Sequence, residues 1–591
     1  MSTASFTPLD PRDEEGAVPE LDERDDRLLV EQAKAGDREA FGELIRRHRA
    51  QVYGYARSIA QEPFLAEDIV QDALIRAFLH LGTLVDTERF LPWLHRIVRN
   101  QAYTRLRSRS VAKEQSFSAL APSQGSIEPS DDTWRDLDYI LHRLSQSRPP
   151  AGQETNPEEA LLRRELMDTI GGILGCLNRR ERQIFESHFF DHLSPQEIAK
   201  LFQLSSANVY QLISRGRKKV IQEKLRISVD HYMKNRRDMG LMKKTLLPNN
   251  AASHEGGTWT SAASAIHRIL GYTDKAFSLP MVMGLTGHAF RINIGPGDVH
   301  IGGPTSFNFG DILTKGLLNL GFRCRFVDGL RKDGPGPNAN LVDPSLLTEQ
   351  AMHKRALHKA LPEALELIHR SIDRGLPVLS WDLFIPEFGV IYGYDDEQRQ
   401  LMAAELCREK AISYDNLGRG ILEDLFILAI EDSFETDDRT MLQGALRMIL
   451  DHYRGIEEEA PRTVRGLAAY STWIEAFRGG AIEPNGHSYN VAFVQDARHF
   501  AAAFWNELAD GWNGSDERDA RIRSLFREAA VLYGDIARRL LPLRSLFPFP
   551  SGGDPNSPAA VGQAVPILES VLALERQAVS LLEAMDNELR S

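Results

Sequence analysis

A chain of 591 residues with 42% hydrophobic and 26% charged residues has room for several globular domains, and that composition excludes wholesale disorder and a fibrous architecture. It holds no apolar run of about 18 residues, an acidic amino terminus and only three cysteines (Cys176, Cys324, Cys407), so a cytoplasmic protein without membrane anchor, disulfide framework, metal or cofactor is expected. The net charge of −13 lies wholly beyond residue 250: residues 1–250 carry 37 basic and 37 acidic side chains, and 201–250 alone holds 11 basic against 3 acidic, the footprint that a phosphate backbone requires.

Residues 1–24 are acidic and poor in aromatics, a composition that cannot offset chain entropy, and are expected to form a disordered tail. From Arg27, LLVEQAKAGDREAFGELIRRHRAQVYGYARSIA places Leu28, Leu29, Ala33, Phe41, Leu44, Ile45, Val52 and Tyr55 at helical spacing, with Gly36-Asp37 separating two helices. AEDIVQDALIRAFLHL predicts a third helix, with Ile69, Ala73, Ile75 and Phe78 mainly on one side and Asp68, Gln71 and Asp72 on another. FLPWLHRIVRNQAYTRLRSRS predicts a fourth, with Leu94, Ile97, Val98 and Leu106 inside and a basic outer face; Arg96 to Arg109 holds five arginines and no acid. This helical unit spans 25–108. Residues 109–156 are rich in Ser, Pro, Gln and Gly and read as a flexible linker with one helical insert near Trp134–Leu144.

A second helical unit, 157–228, contains NRRERQIFESHFFDHLSPQEIAKLFQLSSANVYQLISRGRKKV. Ser194 is placed to cap a helix that Pro195 opens, Phe202–Ser205 makes a turn, and a second helix runs from Ser206 to about Val220. Val209, Leu212 and Ile213 then face inward, and Asn208, Tyr210, Gln211, Ser214 and Arg215 outward. That is the pattern of a helix-turn-helix, in which amide and guanidinium groups meet base edges while Arg217, Lys218 and Lys219 meet phosphates. The plainer alternative is a helical hairpin with a solvated basic end. Residues 229–257, basic and then turn-rich, read as a linker.

Beyond it the texture of 258–420 is α/β: LPVLSW and FGVIYGY look like buried strands, and GYDDEQRQL like a hairpin turn leaving one. From 421 to 591 the pattern is mostly helical, in pieces such as MLQGALRMILDHYRGI, ARHFAAAFWNELA and VPILESVLALERQAVSLLEAM. The fold class is therefore multidomain: an all-α N-terminal half followed by an α/β and then mostly helical C-terminal domain. Cys324, in GFRCRFV, reads as a buried strand residue.

In order and in motif, residues 25–228 resemble an RNA polymerase sigma factor of the sigma-70 type and the extracytoplasmic-function (ECF) group, reduced to its second and fourth conserved regions. The resemblance covers about a third of the chain. It implies that Asp68, Gln71 and Asp72 meet core RNA polymerase, and that Phe90, Trp93, Arg96, Arg99, Asn100, Tyr103 and Arg105 hold the melted −10 strand of promoter DNA. The −35 element would be read by Ser206, Asn208, Tyr210, Gln211, Ser214, Arg215, Arg217 and Lys218. A single strand needs flat side chains to stack bases and guanidinium groups to follow the backbone, and the fourth helix offers both; Trp93 reads equally well as core. Thr104 stands where the family usually has aspartate, which loosens any expectation about −10 sequence preference.

The segments TWTSAASAIHRILGY, GLTGHAFRINI, LPVLSWDLFIPEFGVIYGYDD and GHSYNVAFVQDARHFAAAF resemble the papain-like domain of butirosin-biosynthesis acyltransferase-type proteins and its helical partner. In that family a cysteine starts the first helix; Thr260, Ser261 and Ala262 stand there instead, so a thiol nucleophile is missing. His288 remains as a candidate base and Ser261 as a weaker nucleophile, with nothing to orient the histidine; His487 reads as a turn residue. The expectation is a degenerate enzyme fold kept as a sensor of a small molecule or protein, with a pocket near Trp259, Ser261, His288, Trp381, Glu387 and Tyr392. The alternatives are an active acyltransferase or peptidase whose DNA-binding part is autoregulatory, and a DNA-binding adaptor that no longer engages polymerase.

Overall fold

The structure is a computed structural model that describes most of residues 26–102, 172–189, 195–247 and 257–590, with short interruptions of which 332–344 and 458–462 are the longest. The expected acidic tail, the linker 109–156 and Ser194 lie outside the described residues. The chain divides into two compact units, Met1–Glu223 and Lys224–Ser591.

In the first unit, α1 (Asp26–Lys34), α2 (Arg38–Ala60) and α3 (Pro63–His80) form a bundle with a further helical stretch within 90–102. Gly36, at φ 105°, lets the chain turn out of α1, a conformation that a β-carbon would strain. The Asp37 carboxylate accepts the backbone N–H groups of Glu39 and Ala40 at 2.9 and 3.2 Å and so caps α2. Leu29, Leu44, Val52, Ile69, Ala73, Leu94 and Val98 share one core, as the spacing predicts, while Leu28 stays exposed.

A second core in this unit joins Ile184, Ile198, Val209 and Ile213 from α4 (Arg179–Phe189), α5 (Pro195–Leu201) and α6 (Ser206–Asp238). Asn178 and Glu181 cap α4 reciprocally, each side chain accepting the other's backbone N–H at 2.9 and 3.1 Å. Gln203 takes the left-handed conformation, φ 53°, that the tight turn between α5 and α6 demands.

Two sequence expectations fail here for one reason. Helix α6 does not stop near Val220 and 229–257 is not simply a linker: the helix runs to Asp238, and β1 (Lys243–Thr245) follows it. Val229 and Met233, which already belong to the second unit, bury themselves with Leu365, Ile368 and Ile391 of that same unit, an apolar demand invisible without the facing surface. Arg236 then bridges Asp373 and Asp396 at 3.0 and 2.9 Å.

The second unit is built on an antiparallel sheet in the order β3 (Phe322–Asp328), β8 (Phe426–Ser433), β4 (Val378–Trp381), β5 (Phe388–Asp395), β6 (Gln400–Ala404), β7 (Glu409–Ser413), apart from which β2 (Asn293–Ile294) pairs with β9 (Val464–Arg465). Beyond the start of β4, where Val378 faces Ile391, β1 takes over the edge of β5, pairing Lys243–Thr245 with Asp395–Gly393. The β5–β6 hairpin falls where the sequence places it.

The division expected at residues 420/421 does not exist in the packing. Strand β8 lies beyond it, and one core joins Ile266, Leu313, Phe388 and Phe426 to Leu446, Trp473, Phe504, Tyr533 and Leu582 of the C-terminal helices. After α7 (Ser261–Leu270), α8 (Leu279–Leu285), α9 (Phe309–Asn319), α10 (Glu349–His353) and α11 (Leu361–Asp373), those C-terminal helices are α12 (Asp438–Arg454), α13 (Leu467–Gly479), α14 (Pro484–Gly511), α15 (Glu517–Leu546) and α16 (Pro558–Arg590). Among the described residues no helix is long and apolar enough to cross a membrane.

Candidate functional site

The second helix of the helix-turn-helix is anchored by apolar residues on one side and leaves its polar residues to solvent. Val209, Ile213 and Gly216 are buried, and a β-carbon on Gly216 would meet the Phe185 ring at 3.2 Å, so this face seats closely on α4. Asn208, Tyr210, Gln211, Ser214, Arg215, Arg217 and Lys218 are all exposed, and Ser206 is half-buried. The cap comes from Ser205, whose hydroxyl accepts the Asn208 N–H at 3.2 Å. Lys219 departs from the sequence reading: its ammonium sits 2.8 Å from both carboxylate oxygens of Glu181, so it braces α6 on α4. Arg217 lies 5.5 Å over the Phe189 ring, which orients an exposed guanidinium.

On α3 the exposed residues Phe64, Asp68, Gln71, Ile75 and Phe78 recur at intervals of four, three, four and three, which is one stripe along the helix. Phe64 is 86% exposed. Ile75 and Phe78, expected with the core face, instead border Asp68 and Gln71 in this stripe, because Leu65, Ile69, Ala73 and Ala77 suffice to bury the opposite side; the Phe78 ring keeps an edge contact with Phe41 at 5.0 Å. Asp72 is half-buried beside the stripe. Phe90 and Trp93 are core residues, 2% and 9% exposed, packed on each other at 6.0 Å, so neither offers a ring face to a base in this conformation. Arg99 is exposed; Arg96, Asn100, Tyr103 and Arg105 lie outside the described residues or have no described side chain.

Comparison with known proteins bears on both surfaces. Residues 44–111 match the family model for sigma-70 region 2, and residues 168–220 that for sigma-70 region 4. Together with the relatives named next, these matches support an ECF-type sigma factor. The RNA polymerase sigma-H factor of Pseudomonas aeruginosa is 26% identical over 200 residues, covering 34% of this chain and 94% of that protein. The ECF RNA polymerase sigma factor SigW of Bacillus subtilis is 25% identical over 189 residues, 32% of this chain and 90% of that one. The probable RNA polymerase sigma factor RfaY of Xanthomonas campestris pv. campestris is 30% identical over 196 residues, 33% of this chain and 42% of its own length. A solved structure of CnrH in complex with the cytosolic domain of CnrY is 26% identical over 33% of this chain, with a TM-score of 0.13. The helix-turn-helix falls within the residues that match the region 4 model, and the α3 stripe within those that match the region 2 model.

The C-terminal unit brings together only part of the pocket that its sequence suggests. Ser261, the first residue of α7 (Ser261–Leu270), donates its hydroxyl to Glu387 and accepts the Phe388 N–H at 3.2 Å. Tyr489, from α14, donates to the other oxygen of Glu387, and Trp259 meets the Tyr489 ring edge-on at 5.9 Å. Burial raises the Glu387 carboxyl above its ordinary range. His288 does not join them: Thr286 Oγ1 donates to Val282 O and so must accept the His288 Nδ1–H, at 2.8 Å. Burial holds this histidine neutral, its pKa lowered to about 3. Trp381 is buried against Phe309 and Phe388, and Tyr392 donates to Glu409 at 2.6 Å.

His487 is no turn residue. It lies inside α14, fully buried between Trp473, Phe477 and Phe547, with its pKa lowered to about 3. Cys324 is half-buried in β3, beside Thr314, and burial raises its thiol. Sequence reasoning missed Tyr489, which reaches Glu387 across 102 positions, and missed the enclosed Arg498–Glu575 pair. No local pattern marks either.

Proposed function

We propose that this protein is a sigma factor that binds core RNA polymerase and directs promoter-specific initiation in the cytoplasm, with region 2 holding the −10 element and the helix-turn-helix reading the −35 element. The observation that carries the proposal is the outward row Asn208, Gln211, Ser214, Arg215 and Lys218 on a helix whose other side is fixed in a core. Such a helix presents amide and guanidinium donors at a fixed register, which is what base-edge readout in a major groove requires. Asp68, Gln71 and Asp72, flanked by Phe64 and Ile75, form the face offered to polymerase: an apolar stripe with acidic groups suits a partner helix carrying basic residues.

The C-terminal unit acts in this reading as a fused sensor on a degenerate enzyme fold. Its would-be nucleophile Ser261 is tied to a carboxyl and a backbone N–H rather than to a histidine, which supports binding over catalysis. Run-off transcription with purified core enzyme on genomic fragments tests the proposal: discrete transcripts that depend on this protein are expected, and their absence with folded protein and active core would refute it.

A further inference from the structure

By sequence Lys219 continues the basic run of Arg217 and Lys218, but in the structure it has a protein partner. Its ammonium lies 2.8 Å from each oxygen of the Glu181 carboxylate. That carboxylate already serves α4: it accepts the Asn178 N–H at 3.1 Å, while Asn178 Oδ1 accepts the Glu181 N–H at 2.9 Å. One group is thus shared between the first turn of α4 and the middle of α6. It is also enclosed, its side chain 9% exposed against 47% for that of Lys219. The hydrogen bonds from Lys219 are the foremost cause holding the Glu181 carboxyl below its ordinary range; the Asn178 N–H and the charge of Arg215 act the same way, and burial acts against them.

The place of Lys219 on α6 decides what this bond does. Successive residues stand about 100° apart around a helix, so Lys219 lies about 40° from Arg215, at the border between the outward row and the buried side of Val209, Ile213 and Gly216. Arg217 lies past the opposite border, where its guanidinium meets the Phe189 ring of α4 at 5.5 Å. Between these two tethers Gly216 permits close approach, since a β-carbon there would come within 3.2 Å of Phe185. A helix held to α4 at both flanks of its buried face resists rolling. A roll of about 20° would carry a group at the rim of a helix about 10–12 Å across by about 2 Å. Hydrogen-bond lengths tolerate a spread of only about 0.5 Å. An ion pair with one exposed partner adds little to stability, so an effect on register can be measured apart from one on folding.

We propose that Glu181, acting through Lys219, is a positioning residue for promoter discrimination: it fixes the roll of α6, and with it the aim of Gln211 and Arg215 at base edges, and it keeps Lys219 from phosphate. The proposal rests on the −35 reading of the helix-turn-helix and adds to it a determinant of specificity that lies outside the outward row.

The test uses holoenzyme assembled from core RNA polymerase and the full chain, a promoter fragment recovered by run-off transcription, and the same fragment with its −35 element scrambled. Affinity for both is measured by fluorescence anisotropy across a salt series, with thermal melts of each variant alongside. Glu181→Gln keeps the acceptor that caps α4 and removes the charge that holds Lys219. Lys219→Gln changes an exposed side chain and leaves the core untouched. Each single change should lower the ratio of the two affinities by about tenfold, the loss of one well-aimed base contact. The double variant should lose no more than either single, and Lys219→Gln should leave the salt slope unchanged. Equal weakening of both fragments by Lys219→Gln, with a slope lower by about one, would put Lys219 on phosphate. Unchanged discrimination, additive losses in the double variant, or loss of the fold in Lys219→Gln would each make the pair something other than a positioning device. All of these overturn the proposal and leave the −35 reading intact, whereas a natural chain that does not distinguish the two fragments overturns both.

Discussion

In the helix-turn-helix the polar groups point outward: Asn208, Gln211, Ser214 and Arg215 stand in solvent on a helix whose stability comes from Val209 and Ile213 beneath them. In the C-terminal unit the strongest polar groups point inward. Arg498 and Glu575 are both 0% exposed, 2.5 Å apart, with Tyr453 and Tyr470 donating to the same carboxylate and the carbonyls of Ala289 and Arg291 accepting from the guanidinium. An outward polar row costs folding almost nothing and is free to meet another macromolecule. An enclosed ion pair must have nearly every donor and acceptor matched, and its removal from one side leaves an uncompensated charge. Substitutions should therefore separate cleanly: binding changes in the first region, unfolding in the second.

The largest effect is expected at the enclosed pair. Arg498→Met should destabilise the C-terminal unit by about 3–5 kcal/mol, because Glu575 would be left charged among tyrosines and aliphatic groups. Denaturant unfolding followed through the buried Trp473 and Trp505 measures it, and the double change Arg498→Met with Glu575→Leu should recover most of the loss. A small effect of the single substitution would break the contrast.

Arg215→Ala should leave stability within about 0.5 kcal/mol, as exposed substitutions do. It should cost about 1–3 kcal/mol in discrimination between promoter sequences if its guanidinium grips a base edge. Binding assays on matched and mismatched −35 sequences give the answer; an equal loss on every sequence would place Arg215 on phosphate instead.

Glu405 sharpens the contrast through pH. Its carboxylate accepts the backbone N–H groups of Leu383 and Phe384 at 3.1 and 2.9 Å, yet burial pushes its pKa from 4.5 up to about 8. Between those values the folded chain holds a proton that the unfolded chain has lost. Its contribution to stability is therefore complete below pH 4.5 and falls as pH rises toward 8, by at most ~1.4 kcal/mol per pH unit for a single proton. Glu405→Gln should flatten that decline in denaturation curves taken across the window; an unchanged slope would assign the pH dependence elsewhere.

The smallest effect belongs to Lys218. Lys218→Ala should weaken all DNA sequences alike and lower the slope of log affinity against log salt by about one. Indistinguishable behaviour of Lys218→Ala and Arg215→Ala would remove the division of labour between phosphate and base contacts.

How far each region could be foreseen follows from the same contrast. The α1–α3 bundle and the helix-turn-helix were legible because their cores repeat at helical spacing within short stretches, and because Pro195, the turn at Gln203 and the outward amides leave local marks. Helix α6 was misjudged beyond Val220 since Val229 and Met233 gain their partners only when strands more than a hundred residues away assemble. Phe90 and Trp93 show the converse: flat side chains in a basic helix suggest stacking on bases, but the apolar demand of the bundle buries them. Ser261 and Glu387 were both singled out, yet their bond, like that from Tyr489, joins distant segments and has no sequence signature.

The most direct test of the account is the affinity of the full chain for purified core RNA polymerase, measured beside the double substitution Asp68→Lys, Asp72→Lys. Both side chains lie at or beside the exposed stripe of α3, so the variant should keep its helix content and thermal stability. Tight binding by the natural chain and loss of binding by the folded variant are expected. Undiminished binding by the variant, or none by either chain, would contradict the claim that this face brings the protein to polymerase.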